Sequence, residues 1–276
     1  MDSLLSQTAF PKLNAIGRSF LYWLLFLLFL FIIGAFITHQ FPDSWERFIY
    51  GSFGTAAALA VTWFVLKLEK SSFGSIGLVW ERKTGIRFLY GLVIGSLLFA
   101  LIIIPLFAFS NLTIEWNPKP ITVLEALFYL SIFPLALMEE VAFRSCPFVK
   151  LNRALGFLPT QLIVSVMFAM YHVFGGWSFT SAFMGPAIWS LIFGLATYKS
   201  GGIAIATGIH VALNVAQPML GMRTSTYHPL WILSIKGGET EASLARIDML
   251  GTVSQMIVLI IGVGLTLYYL RKGNSQ

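Results

Sequence analysis

Residues 19–38, SFLYWLLFLLFLFIIGAFIT, run for 20 positions without one charged side chain. A helix needs about 20 such residues, at 1.5 Å each, to cross the hydrocarbon of a bilayer. Seven further apolar runs follow, at 48–67, 87–109, 121–143, 157–175, 180–198, 201–220 and 252–270. Backbone groups cannot stay unpaired in hydrocarbon, so each run is expected to be helical. The expected fold class is therefore all-α: a polytopic membrane helix bundle of about eight transmembrane helices. The first run follows Lys12 and Arg18. It exceeds the roughly 7–15-residue apolar core of a signal peptide, and no small-residue cleavage site follows it, so it reads as a retained first helix.

Composition supports a bilayer as solvent. The chain of 276 residues is 57% hydrophobic and 11% charged, with a mean hydropathy of +0.80, whereas soluble domains carry about 25% charged residues. The net charge of +6 does not form a nucleic-acid patch, because the basic residues sit at the ends of apolar runs; the expected partner is the lipid bilayer and no nucleic acid. With the N-terminus inside and the sides alternating, only Arg47, Lys119, Arg223, Lys236 and Arg246 fall outside, leaving 13 of the 18 Lys and Arg inside. That bias places both termini in the cytoplasm. Cys146 is the single cysteine, which excludes an intramolecular disulfide framework and a Cys-rich metal site.

One membrane domain covers the chain. Its parts are 1–120, three N-terminal helices and a connecting segment; 121–220, a core of four helices; and 221–276, an outer loop and the last helix. Only Lys199-Ser-Gly-Gly separates the runs 180–198 and 201–220. Within the connection 69–86, Phe73, Ile76, Leu78 and Trp80 either rest on the membrane interface or belong to an ordinary loop. Gly185 and Pro186 suggest a local bend.

Ionisable groups inside hydrocarbon are costly and mark function. Four stand out: Glu139 and Glu140 in 121–143, His172 in 157–175 and His210 in 201–220. If the fourth helix continues to Arg153, with Pro147 as a possible kink, Glu139, His172 and the pair His210 and Asn214 lie at heights agreeing within about two turns. Glu140 and Arg144, Phe168 and His172, and His210 and Asn214 are each spaced i,i+4 and share a helix face. This set can activate water and stabilise an oxyanion: Glu139 as general base, His172 orienting water or helping proton transfer, His210 and Asn214 donating hydrogen bonds. The residues thus describe peptide-bond hydrolysis within the membrane. No His-Glu-x-x-His zinc motif is present, no Asp lies within a run, and Ser52 in Gly51-Ser-Phe-Gly54 carries no specific nucleophile signal.

The ordered motifs Glu139-Glu140-x-x-x-Arg144, Phe168-x-x-x-His172 and His210-x-x-x-Asn214 resemble the signature of the CPBP family, the CAAX-processing and bacteriocin-processing or self-immunity (Abi) proteins. The resemblance covers roughly residues 121–220. It implies a helical intramembrane endopeptidase with Glu139 as water-activating base, Glu140 paired with Arg144, His172 assisting, His210 with Asn214 at the oxyanion, and Phe168 in support. It also implies a membrane-associated peptide or protein substrate, prenylated or not, and a setting in the cytoplasmic membrane of a prokaryote. No cofactor is expected; the alternative is zinc held by Glu139, His172 and His210. Two other functions use the same buried groups: a proton-coupled transporter, and a non-catalytic immunity or scaffold protein.

Overall fold

The computed structural model describes residues 11–222 and 227–273; Arg223, assigned above to the outer side, lies outside the described residues. Helix α1 (Pro11–Ile32) runs on through a π turn (Ile33–Ile37) and a 3-10 turn (Thr38–Gln40), and is followed by α2 (Glu46–Leu68) and α3 (Thr84–Phe109). A short strand β1 (Leu112–Trp116) precedes α4 (Val123–Phe128), α5 (Ile132–Arg144), α6 (Cys146–Leu155) and α7 (Phe157–Phe174). Then come α8 (Phe179–Ala182), α9 (Ile188–Ser200), α10 (Ala204–Met219), strand β2 (Trp231–Ile235) and α11 (Glu241–Gly273). The fold is an all-α membrane bundle, and among the described residues seven helical stretches are long and apolar enough to cross a bilayer. The lipid-facing character is plain on α3 and α11, whose most apolar windows are only 22% buried.

The run 201–220 forms a helix of 16 residues, roughly 24 Å long, shorter than the ~30 Å hydrocarbon core. It still passes from one end of the bundle to the other. At its start Gly201 packs on Gly77 in the 69–86 connection. At its end the Met219 carbonyl accepts from the Leu230 amide, just before β2. Its flanks are covered by α3, α5 and α9, so protein rather than lipid surrounds much of its length. The chain returns through α11, whose Tyr269 ring lies 4.0 Å from the Lys199 ammonium. The start of α1, tied to the end of α2 by Arg18 and Glu69, and the end of α11 therefore lie at the same end of the bundle.

Glycines set two close crossings. A Cβ on Gly91 would strike the Ile205 carbonyl, and one on Gly208 would strike the Phe88 carbonyl; α3 and α10 touch backbone to backbone there. Likewise a Cβ on Gly54 would strike the Met138 sulfur, and one on Gly51 would crowd the Leu135 amide, bringing α5 against α2. Small residues at such crossings let helices gain dispersion contact in a solvent that supplies no hydrophobic drive between them.

Several expectations need correction. The fourth run does not continue as one regular helix to Arg153. It breaks at Ser145, where φ is −94° and ψ −108°, because Pro147 lacks an N–H and its ring would meet the Phe143 carbonyl of a continuous helix. Ile76, placed on the interface or in a loop, is 4% exposed and packs into the core, while Trp80 is open. The last helix begins at Glu241 rather than near 252. The outer stretch 221–250 carries β2, which pairs antiparallel with β1 from Leu112↔Ile235 to Trp116↔Trp231. The bend expected at Gly185-Pro186 is a π turn, Phe183–Ala187.

Candidate active site

Helix α5 is buried on most sides towards its C-terminal end, and its two adjacent carboxylates face different surroundings. Glu140 is fully buried. Its Oε1 accepts a hydrogen bond of 2.8 Å from His210 Nδ1 on α10 and lies 3.6 Å from Arg144 Nη1. Glu139, about 100° further round the helix, points its Oε2 at the other ring nitrogen, His210 Nε2, at 3.6 Å. That oxygen is sealed from solvent and has no hydrogen-bond partner among the described residues. A carboxylate accepts only, so the contact to Glu140 puts the hydrogen on Nδ1 and presents Nε2 towards Glu139.

Arg144 is as buried as Glu140, and aromatic rings enclose it. Its guanidinium carbon stands 4.0 Å from the Phe168 centroid, 5.2 Å from Phe193 and 5.8 Å from Phe143, and Nη2 donates to Ser190 Oγ at 2.8 Å. Cation–π contacts of this kind offset part of the lost hydration. The Arg144 hydrogen bond thus goes to Ser190, while its link to Glu140 is an ion pair without a hydrogen bond. Phe168 acts as the floor beneath the guanidinium. Phe193 also stacks on the His210 ring, 4.7 Å away and inclined by 15°, which fixes that imidazole between the carboxylates.

His172 belongs to the same aromatic shell. Its Nδ1 donates to the Phe168 carbonyl at 2.8 Å, leaving Nε2 as the free acceptor. Its ring meets Phe168, Tyr171 and Trp177 edge-on at 4.7, 5.1 and 5.2 Å. It makes no ion pair with either carboxylate among the described residues. Asn214, one turn beyond His210, is half-buried and has no hydrogen-bond partner among the described residues. Among the described residues no three His, Cys, Asp or Glu side chains converge as metal ligands, so a zinc ion would require His172 to move towards the Glu139–His210 pair.

The motifs alone did not reveal Ser190, Phe193, Tyr171 or Tyr50. Tyr171, buried, and Tyr50, on α2, both lie within the electrostatic reach of Glu139. Ser190 and Phe193 sit on α9, which carries no acid, base or histidine until Lys199, so nothing in that segment marks it. Glu139 is 16 residues from either end of the helical stretch Val123–Leu155, so the site lies near its middle.

Residues 119–216 match the model of the family described as type II CAAX prenyl endopeptidase Rce1-like. The segment is Rce1-like. All of Glu139, Glu140, Arg144, Phe168, His172, His210 and Asn214 fall inside it, and the match supports the CPBP resemblance read from the three motifs. No curated protein matches the chain. The Rce1-like family is a protease family, and the segment sits in a bundle built to cross a membrane; the chain is an integral membrane protein.

Proposed function

We propose that the chain is an intramembrane endopeptidase of the CAAX-processing type in which Glu139 activates the hydrolytic water without a metal. The observation that carries this reading is the sealed, unpartnered Glu139 Oε2 facing His210 Nε2 at 3.6 Å. A water placed about 2.8 Å from each atom bridges them once the side chains that seal Oε2 move aside. Glu139 takes a proton from it, and the hydroxide oxygen bonds to the scissile carbonyl carbon. The resulting oxyanion receives an amide N–H from Asn214 and, when both ring nitrogens carry hydrogen, the Nε2–H of His210. Collapse breaks the C–N bond, and Glu139 returns its proton to the departing amine. Glu140 orients His210 through Nδ1, and Arg144 balances Glu140. His172 assists from the aromatic wall through its free Nε2.

The substrate is a membrane-associated peptide, CAAX-like and prenylated or a bacteriocin precursor. The excess of Lys and Arg near the shared end of α1 and α11 favours that end, with both termini, on the cytoplasmic side of a prokaryotic cytoplasmic membrane. The test is cleavage of prenylated and unprenylated membrane peptides by purified protein in nanodiscs, with and without a chelator. Cleavage that persists under chelation is expected. Loss on chelation that zinc restores would replace this mechanism with a metal-dependent one. Substrate-driven proton flux without cleavage would move the chain to the transporters.

A further inference from the structure

At the end of the bundle opposite the strands, a cavity of about 330 Å³ opens between α1, α6 and the end of α2, lined by Asn14, Arg18, Glu69, Lys150 and Arg153 among others. Three cations from two helices line it beside a single carboxylate, Glu69. Arg18 Nη1 reaches Glu69 Oε1 at 3.1 Å and Lys150 Nζ reaches Glu69 Oε2 at 2.5 Å, while Arg153 is anchored by donating to the Ser75 carbonyl. Glu69 thus answers one positive charge and leaves two in excess. The Lys150 side chain is mostly enclosed, at 16% exposure, so its charge is held at the cavity rather than in open water.

A topological excess of basic residues explains Lys and Arg at this end, but not their enclosure around an open volume. Arg18 is 6 residues into the first span and Lys150 is 5 residues from the end of α6, roughly 9 and 8 Å. That depth is the zone of phosphate and glycerol groups, which adds about 5–7 Å to each side of the hydrocarbon. Basic pockets between helices at this level recognise anionic head groups. The guanidinium of Arg18, 54% exposed, is free to turn from Glu69 to a phosphate and hold it with two parallel donors.

We infer that this cavity is an anion site for a phosphate group, occupied by the head group of an anionic phospholipid at the membrane surface. It is separate from the Glu139 site and does not depend on the protease reading. The test is native mass spectrometry of the full chain released from vesicles of phosphatidylglycerol or of phosphatidylcholine, alongside thermal unfolding in detergent with and without inorganic phosphate at constant ionic strength. The wild type is expected to retain phosphatidylglycerol at least tenfold more than phosphatidylcholine. Arg153→Gln and Lys150→Gln should each abolish that preference, and Lys236→Gln, at the other end, should keep it. A fold disturbance alone would lower retention of both lipids equally. Stabilisation by phosphate that Arg153→Gln removes, without lipid preference, would retain the anion site and assign it to a soluble phosphate. Equal retention of both lipids together with no response to phosphate would overturn the proposal.

Discussion

The His210 imidazole stands between two neighbouring carboxylates of one helix, Nδ1 at 2.8 Å from Glu140 and Nε2 at 3.6 Å from Glu139. Adjacent residues on a helix diverge by about 100°, so one imidazole touches both only because α10 crosses α5 at that level. The ring divides the pair into an inner carboxylate, held by Arg144, and an outer one whose Oε2 has no hydrogen-bond partner among the described residues.

Glu140 and Arg144 are coupled by burial. Removing one member of a fully buried pair strands the other, at a cost of about 3–5 kcal/mol. Arg144→Ala and Glu140→Ala are each expected to lower the thermal unfolding midpoint in detergent strongly. The double variant should lose clearly less than the sum of the two. Additive losses would show that the two charges do not compensate each other.

Ser190 tests the arrangement around the guanidinium. Ser190→Ala removes a 2.8 Å hydrogen bond to a charged group, worth about 1.5–3 kcal/mol. A fall in the unfolding midpoint with partial retention of cleavage is expected, since Ser190 reaches the outer carboxylate only through Arg144 and Glu140. No change in the midpoint would mean that the aromatic rings alone hold Arg144.

Gly208 sits two residues before His210, where α10 meets α3 backbone to backbone. Gly208→Leu has no room against Phe88 and Gly91, and the overpacking should cost about 1–3 kcal/mol or more. Cleavage should fall further than stability does, because the displaced helix carries His210 and Asn214. Wild-type cleavage by a well-folded Gly208→Leu protein would contradict the tight crossing.

Tyr171 lies within electrostatic reach of Glu139, and its ring meets His172 edge-on. Tyr171→Phe keeps the ring and removes only the hydroxyl. The rate of cleavage is expected to drop about tenfold, the effect of losing roughly 1.4 kcal/mol of barrier stabilisation, with the unfolding midpoint little changed. An unaltered rate would exclude the hydroxyl from positioning the base.

The sequence carries the bundle because 20-residue apolar runs admit few alternatives, and it marks the candidate site because Glu139, Glu140, His172 and His210 stand out where charge is costly. It does not carry the partners. The i,i+4 spacing of Glu140 and Arg144 pairs them correctly, yet the stronger contact of Glu140, to His210, joins residues 70 positions apart, and only the α5–α10 crossing sets it. Ser190 and Phe193 lie in an apolar segment with no acid or histidine to mark them. The strand pair stayed hidden because Leu112–Trp116 and Trp231–Ile235 are five residues each and pair across more than 100 positions. The break at Ser145 was foreshadowed by Pro147, but a proline marks where a helix is disturbed, not whether it bends or stops.

The most direct measurement is the single-turnover rate of peptide cleavage by Glu139→Gln beside the wild type in nanodiscs, with unfolding midpoints recorded for both. The swap keeps the side chain's shape and removes the base, whose contribution to rate is about 10²–10⁴-fold. A fall in that range with an unchanged midpoint is predicted. Cleavage at the wild-type rate by a folded Glu139→Gln protein would contradict the account.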